Sequence, residues 1–354
     1  MENSTSTPKK TSDLNILAFW KSQQKPWKIT VIRTSLERLG YKMLLPYLSL
    51  YIILMGATKT QLGLVTSAGL ICTALMGPAL GNFIDTKGPK KAYLFGICVL
   101  IGAYLALGGA PVWQVAALGM FLHQVGAGLG GNCLASCDRA KGMLVCESLA
   151  AGLLGMVGPM FSGWFLVNIM KVEGTPTDPE TIRPLFFIAV GITIVSLLLV
   201  IFKLENLHWG GGAKKEKRSV LKDGIAILKA DKNCRKWVLC AAISNVPYTM
   251  IVPYVQVFAA EVKGASVEEL AAIATATALT SVVCGYFVGI LSDRYGRKKT
   301  LLATIALYML GIVVLLTVKS SYAMFIFVGL MSGFQEIGAP VSGAIQNELV
   351  PRQI

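Results

Sequence analysis

Two stretches of this chain read as copies of one another: Gly81-Asn-Phe-Ile-Asp85-Thr-Lys-Gly88-Pro-Lys90-Lys91 and Gly289-Ile-Leu-Ser-Asp293-Arg-Tyr-Gly296-Arg-Lys298-Lys299. Each repeated residue recurs 208 positions further on. Both follow a long apolar run and precede another, so each reads as a tight reversal between two helices. Gly88 and Gly296 permit positive φ, which other residues adopt only at a cost. The acid can face a helix N-terminus or a base, and the paired lysines can anchor the turn at lipid headgroups. One short, basic, glycine-containing loop would say little. Two at a single offset imply duplicated halves, and their positions after the second and eighth apolar runs imply a repeat of six helices.

Outward from these turns the chain is uncharged for long distances. Hydrophobic residues make up 54% of its 354 and charged residues only 15%, against about 25% charged in soluble domains. A crossing of the bilayer core takes about 20 apolar helical residues. Ten such spans are predicted, near 30–56, 62–84, 92–109, 112–134, 143–170, 184–203, 237–260, 268–291, 300–318 and 322–345. In lipid the backbone must satisfy itself, so these spans are expected to be helical, and the period-two alternation of a barrel is missing. The fold class read here is all-α, a polytopic membrane protein. The net charge of +14 is spread between uncharged stretches and forms no nucleic-acid patch.

Basic residues set the expected orientation. With the N-terminus inside, the inner segments hold 25 of them and the outer loops only Lys59, Lys171, Arg183, Lys263 and Lys319. The first 28 residues are polar, carry five lysines and contain no secretory signal. Both termini are therefore expected in the cytoplasm, with the chain multi-pass in a plasma (inner) membrane. A polar segment with Gly210 to Gly212 and the bases Lys214, Lys215, Lys217 and Arg218 reads as a linker. The expected organisation is a tail over 1–29, a six-helix bundle over 30–203, a basic cytoplasmic linker over 204–236, and a four-helix bundle over 237–354.

With this topology the paired turns resemble the signature of the major facilitator superfamily, which stands between the second and third helices with a weaker copy between the eighth and ninth. The resemblance covers the whole membrane portion. It is supported by Leu45-Pro46-Tyr47, read as a break in the first span, and by Gly126, Gly128, Gly130 and Gly131 in the fourth. In the fifth, Gly158-Pro159-Met-Phe-Ser162-Gly163 resembles the Gly-Pro motif of the family's proton-coupled exporters, with Ser162 where glycine is usual. Two departures stand out. Thr86 occupies the position of a typical base, and Phe121-Leu122-His123-Gln124 lacks the arginine of the exporters' fourth helix. The family pattern has twelve helices, and this chain stops after ten.

The resemblance implies two bundles rocking about a central cavity lined by the first, fourth, seventh and tenth helices. It would bring Glu37, Arg38, His123, Gln124, Asn245, Tyr248 and Glu336, with Gln335 beside it, towards one space. It also assigns conformational gating to Gly81, Asp85, Gly88, Lys90, Lys91, Gly289, Asp293, Arg294, Gly296, Lys298 and Lys299, and a packing or kinking role to Gly158, Pro159 and Gly163.

Acids within spans are costly by about 2.5 to 3.5 kcal/mol on insertion scales, so Glu37, Glu147 and Glu336 call for explanation. Glu37 lies one helical turn after Arg33; the two read equally as an interfacial ion pair and as part of a substrate site, with Arg38 and Lys42 directed elsewhere. Glu147 falls in the inner part of the fifth span and reads as a structural hydrogen-bonding residue. Glu336, before Gly338, Ala339 and Pro340 on a span expected to be broken, is the preferred proton or cation site. His123 can titrate near neutral pH or be simply hydrogen-bonded. Asn245, Pro247, Tyr248, Pro253 and Tyr254 suggest a bent seventh helix.

The sequence reading is a secondary active transporter of a small organic solute, working by alternating access, with proton-coupled export preferred and import by the same fold as an alternative. A truncated, non-transporting membrane homologue is the reading from another class. Eight cysteines lie mostly inside apolar runs, and Cys133 and Cys137 have no third ligand nearby, so no metal and no cofactor are expected. With two histidines, no His-Glu-x-x-His and no Gly-x-Ser-x-Gly, the chain is not read as an enzyme. Expected partners are the solute, protons and the lipid bilayer, without nucleic acid.

Overall fold

The computed structural model describes residues 25–135, 151–204 and 232–349. Within them lie ten helices and no strand: α1 (Lys25–Leu54), α2 (Lys59–Lys87), α3 (Pro89–Gly108), α4 (Trp113–Ala135), α5 (Ala151–Asn168), α6 (Pro179–Lys203), α7 (Lys232–Glu261), α8 (Val267–Tyr295), α9 (Arg297–Thr317) and α10 (Tyr322–Leu349). Six of them, α2, α3, α6, α7, α8 and α9, contain a stretch long and apolar enough to cross a membrane, and shorter apolar stretches run over Gly152–Asn168 and Tyr322–Gly338.

Local chemistry explains where several helices start. At α8 the Ser266 hydroxyl accepts from the Glu269 N–H at 3.3 Å while the Ser266 N–H donates to the Glu269 carboxylate at 2.8 Å, which satisfies two orphan donors reciprocally. Thr58 and Gln61 do the same at α2. Asp178 accepts from the Glu180 N–H ahead of Pro179, whose ring is tolerated at a first helical position. The expected breaks at Pro46 and around Pro340 are corrected: α1 and α10 run continuously through both positions. Membrane helices accept proline because neighbouring groups take up the freed carbonyls.

Both repeated turns are a single glycine. Gly88 (φ 86°) separates α2 from α3, and Gly296 (φ 97°) separates α8 from α9. The Gly296 N–H donates to the Ser292 carbonyl at 3.1 Å, and its own carbonyl accepts from the Thr300 N–H at 3.3 Å. One residue thus ends one helix and opens the next.

Packing repeats six helices on. Taking α1 to α6 as the first set and α7 to α10 as the second, α2 and α3 pack on α4 in the first, and α8 and α9 pack on α10 in the second. Within the first set α1 also packs on α5 and α6, and α3 on α6; α5 against α8 is the main contact between sets. The principal core, with Tyr47, Tyr51, Leu62, Phe186, Leu270 and Phe325, lies towards the end opposite the glycine turns. Large apolar side chains such as Leu75, Phe202 and Ile243 face outward, as a lipid solvent permits.

At that opposite end the two sets are stitched together. Tyr47 of α1 donates to the Val267 carbonyl at 3.0 Å, and the Val267 N–H donates to the Gly174 carbonyl at 2.9 Å. Thr175 donates to the Ala265 carbonyl at 3.0 Å. Tyr254 of α7 donates to the Lys59 carbonyl at 2.8 Å, and the Lys59 ammonium pairs with Glu261 at 2.7 Å.

Candidate functional site

Mid-way along α1 the helix turns two faces to two different jobs. On one, Arg33 reaches back to Glu37, with its Nε donating to one carboxylate oxygen at 3.1 Å and a terminal nitrogen to the other. The same guanidinium lies 4.0 Å from the centre of the Tyr93 ring on α3 and is only 1% exposed. This bidentate, ring-stacked arrangement suits arginine and commits Glu37 to its own helix.

The other face carries Arg38, Tyr41 and Lys42. Lys42 Nζ donates to Glu336 of α10, and the lysine side chain is 7% exposed while the glutamate keeps 32%. Ser281 of α8 hydrogen-bonds the same carboxylate. Three helices from two sets therefore converge on one acid. Lys42 was not singled out as a site residue in the sequence; nothing in spacing along α1 signals a partner 294 residues away. Arg38, exposed and one helical turn before Lys42 on α1, lies near enough to Glu336 and Tyr41 for its charge to act on both.

An aromatic row continues from there. Tyr41 stacks on His123 of α4, with ring centres 5.0 Å apart and planes 24° apart, and His123 meets Tyr104 of α3 at 5.6 Å. His123 is buried, and no hydrogen bond to its imidazole occurs among the described residues. Tyr248 of α7 lies near both Tyr41 and Glu336 and meets Tyr308 of α9 edge-on at 6.0 Å.

Of the residues grouped by the sequence reading, Arg38, Tyr248 and Glu336 are brought together, and His123 stands one ring behind them. Glu37 is instead held by Arg33, whose guanidinium lies over Tyr93, and its charge acts on Tyr104. Gln124 lies against α2, where a methyl group at Gly69 would stand 3.0 Å from its Cβ. Gln335 is half-buried beside Glu336 on α10. The side chains of Asn245, Asp85 and Asp293, and all of Glu147, lie outside the described residues.

The glycines of α5 form the floor behind this site. A methyl group at Gly158 would stand 2.8 Å from the Leu39 carbonyl oxygen and 2.9 Å from the Met43 nitrogen, and one at Gly155 would touch the Lys42 stem at 3.5 Å. Gly163 approaches Ala271 of α8 so closely that a Cβ would lie 2.8 Å from it. Ser162 donates to the Pro159 carbonyl at 2.9 Å, taking up a backbone acceptor beside the ring. Of the turn lysines, Lys90 donates to the Ile201 carbonyl near the end of α6 at 3.2 Å rather than reaching outward, while Lys91, Lys298, Lys299 and Arg294 are exposed. Among the described residues no group of histidines, cysteines and acids is arranged to hold a metal ion.

A model of the Major Facilitator Superfamily matches residues 31–267 and 237–354. The multidrug resistance protein MdtG of Enterobacter lignolyticus (strain SCF1) is 25% identical over 303 residues, covering 80% of this chain and 69% of the relative. Among solved structures, the nucleoside transporter NupG (D323A mutant) superposes with a TM-score of 0.71 at 13% identity, covering 90% of this chain and 82% of that one. A D-xylose-proton symporter superposes with a TM-score of 0.61 at 13% identity, covering 92% and 87%. Family and apolar helices together make this an integral, multi-pass membrane protein.

Proposed function

Because the chain belongs to the major facilitator superfamily, whose members are transporters of small molecules and not enzymes, we propose that it is a secondary active transporter exporting a small organic solute in exchange for protons. The observation that carries this reading is the Lys42–Glu336 pair, which ties α1 of one set to α10 of the other. A partly buried pair of this kind can act as a two-state element. Removing one charge leaves its partner unpaired, at a cost of about 3 to 5 kcal/mol. Protonation of Glu336 does the same reversibly, so a proton arriving there releases α1 from α10 and shifts the balance between inward-open and outward-open arrangements. The bonds joining Tyr47, Thr175, Tyr254 and Lys59 across the sets then define the state described here, with the end opposite the glycine turns held shut.

In this proposal residues 30–203 and 237–354 are the rocking units, joined by a basic linker over 204–236. The glycine turns face the cytoplasm with both termini, in a plasma (inner) membrane, as the distribution of basic residues supports. The name of the MdtG relative, a multidrug resistance protein, supports export. A second reading, proton-coupled uptake, is favoured by the likeness to a D-xylose-proton symporter.

Proteoliposomes with an imposed pH gradient test the proposal. Flux that follows the gradient and is lost in Glu336→Gln supports it, and the direction of flux decides between export and uptake. Flux unchanged by collapse of the gradient and by Glu336→Gln removes proton coupling through this site.

A further inference from the structure

Charge bookkeeping around α1 narrows the class of solute. Beyond Lys25 and Lys28 in its first turn, the helix carries Arg33, Arg38 and Lys42 against the single acid Glu37. Arg33 takes Glu37, and Lys42 takes Glu336. Arg38 has no hydrogen-bond partner among the described residues, is exposed, and lies near enough to Glu336 for its charge to act there, so among the described residues Arg38, Lys42 and Glu336 sum to one excess positive charge. Arg38 lies one helical turn before Lys42, hence on the same face of α1, and a guanidinium without a counter-charge inside a membrane bundle is costly. A ligand supplies the missing charge most simply.

Resting on the transporter reading, we propose that the solute is an aromatic organic anion whose acid group is held by Arg38, with Tyr41 and Tyr248 beside it. Arg38 presents the planar fork that matches a carboxylate. The hydroxyls of Tyr41 and Tyr248 have no hydrogen-bond partner among the described residues and flank Glu336, so each can donate to the same acid. The ring of the solute finds faces of the same kind: Tyr41 already stacks on His123, and Tyr248 meets Tyr308. A cationic solute fares worse. The one carboxylate placed there among the described residues, Glu336, is shared by Lys42 and Ser281, and taking it would leave Lys42 and Arg38 as two unpaired neighbouring cations. An anion takes Arg38 without disturbing that pair.

The test uses the purified full chain and three probes of one shape: 3-phenylpropionate, 3-phenylpropanamide and 3-phenylpropylammonium. Ligand-dependent shifts in Tm give apparent affinities. The acid alone is expected to raise Tm in a dose-dependent way. Arg38→Gln, whose ligand-free Tm should be no lower than the parent's because the side chain is exposed and gives up no hydrogen bond among the described residues, weakens the acid's affinity about tenfold or more, and Arg38→Lys restores part of it. Equal stabilisation by the amine or the amide, no shift with any probe, or an acid affinity unchanged in Arg38→Gln overturns the proposal. Counterflow of each probe in proteoliposomes separates the two readings. Exchange of the amine but not the acid defeats the anion assignment while leaving transport standing. Arg38-dependent binding of the acid without exchange defeats transport while leaving the site standing.

Discussion

Lys42 and Glu336 stand 294 residues apart in the chain and share one hydrogen bond between α1 and α10. The bond costs two desolvations and returns attraction only while both charges are present. Lys42→Met or Glu336→Leu alone should therefore destabilise the protein by about 3 kcal/mol each. The double variant should lose clearly less than the sum of the two, because no orphaned charge remains. Thermal unfolding of the four proteins in detergent gives the coupling, and strict additivity would show that the pair is a bystander.

The approach of α5 to α1 is backbone on backbone. Gly158→Ala places a methyl group within 3 Å of the Leu39 oxygen and the Met43 nitrogen, neither of which can swing aside. A loss of about 1 to 3 kcal/mol is expected, together with reduced flux, since the same displacement moves Arg38 and Lys42. Gly191→Ala on α6, with nothing within 4 Å, should be neutral or slightly stabilising. Melting curves of the two variants make the comparison.

Gly296 and Gly289 sit seven residues apart, and a methyl group at either meets nothing within 4 Å. Only Gly296 has positive φ. Gly296→Ala should lose about 1 to 2 kcal/mol through backbone strain alone, whereas Gly289→Ala, inside α8, should gain up to about 1 kcal/mol of helix propensity. Equal Tm shifts would show that the turn relaxes freely.

Among the described residues His123 contributes its ring and not a hydrogen bond. His123→Phe keeps the stack between Tyr41 and Tyr104 and should leave both Tm and the pH profile of flux close to the parent, whereas His123→Ala opens a hole worth about 3 kcal/mol. A pH profile displaced in His123→Phe would make the imidazole a participant in proton movement.

Much of the architecture was legible because lipid imposes one rule on every span. Apolar runs near 62–84 and 300–318 became α2 and α9 with their ends shifted by a few residues, since helices continue into polar flanks that hydropathy excludes. The turns were legible because positive φ at Gly88 and Gly296 needs glycine whatever surrounds it. The breaks expected at Pro46 and Pro340 did not appear, because proline removes one donor but not the helical path when neighbours take up the carbonyl. The site was less legible. Glu37 and Glu336 are both acids within spans, but Glu37 is satisfied one turn away by Arg33, and Glu336 by a lysine on another helix. Spacing within one helix reveals the first kind of partner and is silent about the second.

The single-glycine elbows at Gly88 and Gly296 leave no slack. A hairpin hinged on one residue cannot telescope or slide its legs past each other, so any swing of α2 carries α3 with it, and any swing of α8 carries α9. Reorientation must then be borne by lever-like motion of whole blocks, with slippage confined to the seam where Gly163 rides against Ala271.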